Sequence, residues 1–421
     1  MDERGSDAAI AVLAIGDEIL TGRIQDSNTR CIARTLMTNG LKLHRVMSVP
    51  DDSAAIGEAL LWLGKRHRAV VVSGGLGPTG DDVTAQAAAL ALNRPLQLNQ
   101  EALEMVCARL RHLCGGDITQ AQKKQAYIPE GAVLLPNTKG SAPGFMVEQD
   151  GCRYFFLPGV PAEMSAMLQI SVIPLLLNIF TRAALWKERC FTLLGVPESQ
   201  AERMLKTLDL PGDVRVALCV QTPQLEVRLG LDTVDAAVRL ERLTPEIRKL
   251  YGQLLVAEGD ESLAEVVVRQ FVASGHTLAL AESCTGGWIA KQLTDVPGAS
   301  ACLERSGVVY ANSAKQGWLG VPADILAKEG AVSEACALAM AHGVRRCAKS
   351  DVALAVTGIA GPGGGSELKP VGTVFIALVD ESGEKVERFQ FAGDRNMVRW
   401  RTVCTALNWL RLHEAPKLGG A

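Results

Sequence analysis

Glu282-Ser283-Cys284-Thr285-Gly286-Gly287 stands between an apolar run, His276 to Ala281, and the helically spaced Trp288-Ile289-Ala290-Lys291-Gln292-Leu293. The run reads as a buried strand and the sequel as a helix, so the hexapeptide is a tight strand-to-helix turn. Gly286 and Gly287 let the backbone bend sharply there. Ser283 and Cys284 are both candidate nucleophiles on that turn. A helix N-terminus also presents unpaired N–H groups, which suit an oxyanion or a phosphate. An ordinary capped bend fits the six residues equally well, so the rest of the chain has to decide.

Outward from the turn, strands and helices alternate. Ser262 is expected to cap a helix bearing Leu263, Val266, Val267 and Phe271 and ended by Gly275. Ser306 to Ala311 reads as a strand that contains Tyr310, and Ser333 opens a helix to about Ala348. Val352 to Thr357 is a strand feeding Gly358-Ile359-Ala360-Gly361-Pro362-Gly363-Gly364-Gly365-Ser366. A strand follows this loop, not a helix, so it is neither a Rossmann nor a P-loop pattern. A loop wrapped around an anionic ligand fits it better. Gly393-Asp394-Arg395 begins a helix with Arg399 one turn on, which is either a phosphate-facing pair or a solvated face.

A serine on the turn would need a base. No histidine falls in a triad order. Lys315, five residues after Tyr310, can serve if desolvation keeps it neutral, with Tyr310 relaying the proton or holding both groups. The residues alone do not choose between Ser283 and Cys284, whose thiolate would attack more readily.

The chain has 421 residues, enough for two to four domains, with 21% charged and 48% hydrophobic residues and a formal net charge of −3. That balance gives no support to nonspecific nucleic-acid binding. The polar start, Met1 to Asp7, has no signal-peptide pattern. Ile170 to Phe180 is too short to span a bilayer and carries Pro174, so no membrane partner is expected. Eleven scattered cysteines without a C-x-x-C read as reduced thiols, which implies a cytoplasmic protein.

The N-terminal third alternates in the same way. Ile10 to Ile15, Leu41 to Val49 and Ala69 to Ser73 read as strands, with helices opening at Asp26-Ser27-Asn28 and at Pro50-Asp51-Asp52-Ser53. This argues for an open, mostly parallel α/β sheet with ligands beyond its carboxyl ends. Between the third strand and an alanine-rich helix lies Ser73-Gly74-Gly75-Leu76-Gly77-Pro78-Thr79-Gly80-Asp81-Asp82-Val83-Thr84. Its glycines can bring backbone amides to a phosphate. Asp81 and Asp82 beside a phosphate imply a bridging divalent cation, and one of them is also expected to cap the helix. The segment 179–256 carries no catalytic signature. It reads as a strand, a helix, a hairpin about Gln221-Thr222-Pro223 and a second helix. That order is similar to a KH-type module, but without the G-x-x-G clamp RNA binding is not expected, and a spacer or dimerisation module is.

Two resemblances sharpen these readings. Gly16 through Gly22, Gly74 through Thr84, Gly140 through Gly144 and Leu157 through Met164 resemble the molybdopterin-binding-like domain of the CinA family. The resemblance implies an ADP-ribose pyrophosphatase that uses a divalent metal ion and potassium, with Asp51, Asp81 and Asp82 near the metal. Thr79, Gly74, Gly75 and Gly77 would hold phosphates, and Asp17, Thr21 and Asn28 would shape the pocket. The same fold serves adenylyltransferases and an FAD synthase, so a nucleotidyltransferase is a further possibility. Ala281 through Gly287, Thr357 through Gly365 and Lys369 through Val374 resemble the CinA C-terminal, nicotinamide mononucleotide amidase, family. This implies Ser283 as nucleophile, assisted by Tyr310 and Lys315, with no metal. Cys284, Thr285, Gly286 and Gly287 would flank the substrate, and Thr357, Gly358, Gly361, Gly363, Gly364, Arg395 and Arg399 would bind it. Ser313 stands where the family has glutamate. The implied domains are 8–178, 179–256 and 257–417, the implied substrates nicotinamide mononucleotide and ADP-ribose, and the implied assembly a homodimer. The competing reading is a non-catalytic interaction protein of competence or damage responses.

Overall fold

The computed structural model describes residues 10–114, 118–180 and 186–415. The polar segment Met1 to Asp7 and the outer bounds expected at residues 8 and 417 lie outside them. The chain divides into two compact units. One runs through Lys187 and includes Asp232–Ala236; the other holds Glu188–Leu231 and everything from Ala237.

The first unit begins β1 (Ile10–Ile15), α1 (Asp17–Leu20), α2 (Ser27–Thr38), β2 (Leu43–Val49), α3 (Ser53–Gly64), β3 (Ala69–Ser73) and α4 (Thr84–Ala91). It continues with β4 (Leu96–Leu98), α5 (Gln100–Cys114), α6 (Gln120–Lys123), β5 (Tyr127–Pro129), β6 (Val133–Leu135), β7 (Gly144–Gln149), β8 (Cys152–Leu157), α7 (Pro161–Met167) and α8 (Ile173–Ile179). Six strands form one sheet in the order β2-β1-β3-β8-β7-β6. The first four are parallel and β7 and β6 are antiparallel, as the expected mostly parallel sheet requires. β1 and β3 are buried throughout, which is why they read as unbroken apolar runs. Chain order reverses between β1 and β3, so the loops at Gly16 and Gly74 emerge side by side at one rim. A Cβ on Gly74, whose φ is +118°, would lie 2.3 Å from the Ile15 carbonyl oxygen.

Two expectations fail here. Helix α4 is preceded by Val83 without a side-chain cap, not by Asp81 or Asp82, because Asp82 turns back to the Thr79 backbone N–H at 2.8 Å. The apolar stretch is also not too short: Pro161–Ile179 is a continuous 19-residue helical segment, long and apolar enough to cross a membrane by length and composition alone, with Pro174 just after a π-helical turn, Leu168–Val172. Met164, Met167, Leu168, Val172, Ile173 and Leu176 of that segment pack on the sheet, while 33% of its apolar window is buried.

The second unit opens with β9 (Lys187–Leu194), α9 (Glu198–Leu205), β10 (Arg215–Gln221), β11 (Gln224–Leu231), α10 (Ala236–Tyr251) and β12 (Leu255–Glu258), whose sheet order is β10-β11-β9-β12. Then come α11 (Leu263–Ser274), β13 (Leu278–Glu282), α12 (Trp288–Thr294), β14 (Leu303–Val308), α13 (Asn312–Leu319), α14 (Ala323–Lys328), α15 (Glu334–Ala348), β15 (Val352–Gly358), β16 (Thr373–Val379), β17 (Glu384–Gln390) and α16 (Arg395–His413). Ser262 caps α11 in a capping box with Glu265, and Gly275 ends it in the left-handed conformation. The five-stranded sheet runs β14-β13-β15-β16-β17, with β14, β13 and β15 parallel. On one face Leu278, Leu280, Leu354 and Val356 meet α11 and α16. On the other, the small Ala279, Ala281, Ala353 and Ala355 let α15 approach closely. The strand expected at Ser306 to Ala311 starts earlier, at Leu303, and ends before Tyr310.

Candidate active site

The order of the second sheet also reverses, between β13 and β15, and the turn after β13 lies at that switch, where ligands of open α/β sheets bind. The Ser283 N–H donates to the Val356 carbonyl at 3.1 Å, stitching the turn to β15. Lys315 lies in the first turn of α13 and is 1% exposed. Its Nζ meets Ser283 Oγ at 3.2 Å, the Val309 carbonyl at 2.8 Å and the Tyr310 carbonyl at 3.0 Å. Burial pushes the Lys315 amine below the usual lysine range, and the Cys336 and Cys284 thiols nearby counter it only in part. A neutral amine has two N–H groups and one lone pair. The two carbonyls can accept only from N–H, so the lone pair is left for the Ser283 hydroxyl.

The helix N-terminus is not an open anion site. Glu282, fully buried, accepts the Ile289 N–H at 3.1 Å and the Ala290 N–H at 2.8 Å, so its carboxylate already complements α12. Gly286 N–H and Trp288 N–H bond within the turn, to Ser283 and Thr285 carbonyls. The Cys284 and Thr285 N–H groups point to the buried Cys284 sulfur, and among the described residues the Gly287 N–H makes no main-chain hydrogen bond. Gly286 (φ +63°) and Gly287 (φ +89°) are both left-handed, as the sharp bend demands. Burial pushes the Cys284 thiol up to about 12, with Glu282 adding to the rise. Cys284 therefore stays protonated in the core beneath the turn. Glu282 was overlooked in the sequence; an acid just before a short helix was the available signal.

The Tyr310 side chain does not bridge serine and lysine. It is 59% exposed, and its hydroxyl accepts from Arg395 Nη2 at 3.2 Å. Ending the strand at Val308 turns the Tyr310 carbonyl, not its phenol, toward Lys315. Arg395 Nη1 also donates to the Gly361 carbonyl at 2.7 Å, so it ties the glycine loop to the tyrosine. Arg399 donates to the Thr285 carbonyl at 2.8 Å and lies over Trp288. The two arginines are thus anchored to different loops, and Arg399 Nε is buried without a partner. The Thr357 hydroxyl is engaged by the Ala331 carbonyl at 2.7 Å, while the Thr285 hydroxyl is buried and unpartnered. Gly358 passes tightly against β16, Gly361 against Val371, and Gly363 and Gly364 lie exposed in the loop. Ser313 is exposed at the start of α13 and makes no cap.

In the first unit the expected residues gather at the rim above β1 and β3. The Asp17 N–H donates to Asp51 at 2.9 Å, and the Thr21 hydroxyl to the Asp17 carbonyl at 2.8 Å. Asn28 reaches Ser73 Oγ and the Gly159 carbonyl, leaving its own Oδ1 buried and unpartnered. The Thr79 hydroxyl donates to Asp81 and Asp82, and Lys124 donates to the Thr79 carbonyl at 2.6 Å. Gly75 and Gly77 carry the loop back against Thr84 and Asp82. Burial, with Glu18, Asp17 and Asp81 nearby, raises the Asp51 carboxyl. The Thr79 hydroxyl holds Asp81 low. The three predicted metal ligands do not fit a ready-made centre. Among the described residues no three His, Cys, Asp or Glu side chains converge as a metal cage, since Asp81 and Asp82 fold back on Thr79.

Comparison with known proteins agrees with this architecture. Residues 260–413 match the CinA C-terminal domain, and residues 11–178 match a probable molybdopterin binding domain. A CinA-like protein of Geobacter sulfurreducens is 46% identical over 96% of this chain and 98% of its own length. One from Syntrophotalea carbinolica is 44% identical over 96% and 97%. The solved competence/damage inducible protein CihA from Agrobacterium tumefaciens is 44% identical, covering 35% of this chain and 91% of its own, with a TM-score of 0.35. With both domain models matched and relatives aligned along nearly its whole length, the chain belongs to the CinA family.

Proposed function

We propose that the second unit is a serine amidase that hydrolyses the carboxamide of nicotinamide mononucleotide. The observation that carries this reading is the buried Lys315 amine at 3.2 Å from Ser283 Oγ, with carbonyls as its other partners. Neutral Lys315 takes the hydroxyl proton as Ser283 Oγ bonds to the amide carbon. The oxyanion meets N–H groups of the Cys284 to Gly287 turn, of which the Gly287 N–H makes no main-chain hydrogen bond. Lys315 then returns the proton to the amide nitrogen, the C–N bond breaks and ammonia leaves an acyl ester on Ser283. Water, deprotonated by Lys315, splits the ester to nicotinate mononucleotide and restores the serine. Arg395 and the Gly358–Gly365 loop are suited to the 5′-phosphate. Ammonia release from nicotinamide mononucleotide tests the reading: it should vanish in Ser283→Ala and persist in Cys284→Ala. The reverse pattern would overturn it.

The buried, unpartnered Asn28 Oδ1 beside the paired glycine loops supports a nucleotide-binding first unit. ADP-ribose is the substrate the family resemblance suggests. AMP formation, measured with and without added magnesium, separates a hydrolase from a binding domain, and ATP consumption would mark a nucleotidyltransferase.

A further inference from the structure

Three successive main-chain carbonyls between α14 and α15 are each taken by a side chain. Lys369 Nζ donates to the Glu329 carbonyl at 2.6 Å, Ser333 Oγ to the Gly330 carbonyl at 2.8 Å and Thr357 Oγ1 to the Ala331 carbonyl at 2.7 Å. Ser333 also accepts the Cys336 N–H as the cap of α15, so the 329–331 turn is fixed to that helix. The other two donors stand at the two ends of the glycine loop. Thr357 comes just before Gly358, and Lys369 comes four residues after Gly365. Thr357 is buried and its hydroxyl is already engaged. The Lys369 ammonium sits at the C-terminal end of α14, where a helix favours a cation. The returning limb is closed around it: the Ser366 N–H donates to the Lys369 carbonyl at 2.9 Å, and the Lys369 N–H to Ser366 Oγ at 3.1 Å. Between the two limbs, Pro362 through Gly365 are exposed.

We propose that Thr357 and Lys369 are positioning residues that clamp both limbs of the glycine loop to the 329–331 turn and do not themselves touch the substrate. The clamp holds Pro362 to Gly365 in place for the 5′-phosphate, which rests on the reading of this loop as the phosphate holder. The physical need is clear from composition. Gly361 to Gly365 has four glycines in five residues, and such a chain loses much conformational freedom when it is ordered. With both ends anchored beforehand, less of that loss opposes ligand binding. Thr357, which the family resemblance places among the substrate-binding residues, thus acts through the loop and not on the ligand.

Hydrogen exchange in the full-length protein without substrate reads the clamp directly. The Ile359 N–H is bonded to the Thr373 carbonyl, the Gly372 N–H to the Ile359 carbonyl and the Ser366 N–H to the Lys369 carbonyl. In Thr357→Val/Lys369→Met these amides should exchange about tenfold faster, with β13 amides at wild-type rates. Each single variant reads its own limb should the double variant not fold: Thr357→Val at Ile359, Lys369→Met at Ser366. KM for nicotinamide mononucleotide should rise about tenfold with kcat within about threefold, and turnover of the nucleoside without the phosphate should be unchanged. Thr357→Ser and Lys369→Arg keep their donors and should retain the wild-type KM. Unchanged exchange would overturn the clamp. So would a raised KM in Lys369→Met with wild-type exchange, the mark of a direct phosphate contact. Faster exchange in a protein that releases no ammonia would uphold the clamp and overturn the amidase reading alone.

Discussion

Lys315 meets Ser283 across 32 residues of sequence, and its other two contacts are main-chain carbonyls, not carboxylates. Burial outweighs the opposing Cys336 and Cys284 thiols in lowering its pKa. Only the unprotonated amine can act as a base. Hydrolysis should therefore rise with pH through the lowered Lys315 pKa, on a limb below the ordinary lysine value of 10.5. The sign for stability is the same. Between the folded pKa and 10.5 the unfolded chain binds more protons, so this group makes stability rise with pH across that window. Below the folded pKa the full cost of burying the charge remains. Lys315→Met should lower kcat by about 10²- to 10⁴-fold, remove that limb and leave the fold intact. A pH–rate profile with parallel thermal melts checks both.

Tyr310→Phe separates two roles. It removes the hydroxyl that Arg395 donates to but keeps the carbonyl that holds Lys315. KM should rise while kcat stays within roughly tenfold of the wild type, a change of about 1.4 kcal/mol or less. A kcat loss as large as that of Lys315→Met would restore the phenol as a proton carrier.

Glu282→Gln keeps one acceptor for the α12 amides and faces the other with an amide NH₂. It should cost about 1–3 kcal/mol of stability, read as a lower melting temperature. Its kcat should fall with the unfolding baseline corrected, since the same carboxylate fixes the bend that carries Ser283.

Gly343→Ala tests the seat of the lysine. A Cβ at Gly343 would stand 2.2 Å from the Leu319 carbonyl oxygen, at the end of α13. That helix cannot stay in place, so we expect about 1–3 kcal/mol of destabilisation from overpacking and a reduced kcat. Unchanged melting would show that α13 shifts freely.

Local chemistry was the legible part of the sequence. Ser262 and Gly275 mark the ends of α11, Asp26 and Ser333 cap helices where helix starts are read, and continuous apolar runs mark β1, β3 and β15. Readings failed where tertiary partners decide. Asp82 is drawn from the cap of α4 by Thr79, and Glu282 is drawn inward by amides seven and eight residues away. Ser306 to Ala311 reads as a strand that contains Tyr310, yet β14 ends at Val308. The Ser283–Lys315 pairing needed the family motif, since spacing alone cannot say which α13 residue turns toward β13.

The cradle of Lys315 has an evolutionary corollary. Val309 and Tyr310 contribute oxygens that every amino acid possesses, so replacing either side chain leaves the cradle standing. Drift at these two positions would leave the oxygens around the amine in place, and a scan of side chains would read only their other roles, the Arg395 contact of Tyr310 and the core packing of Val309. Only altering the peptide bond itself, as an amide-to-ester exchange does, would expose how much the amine depends on them.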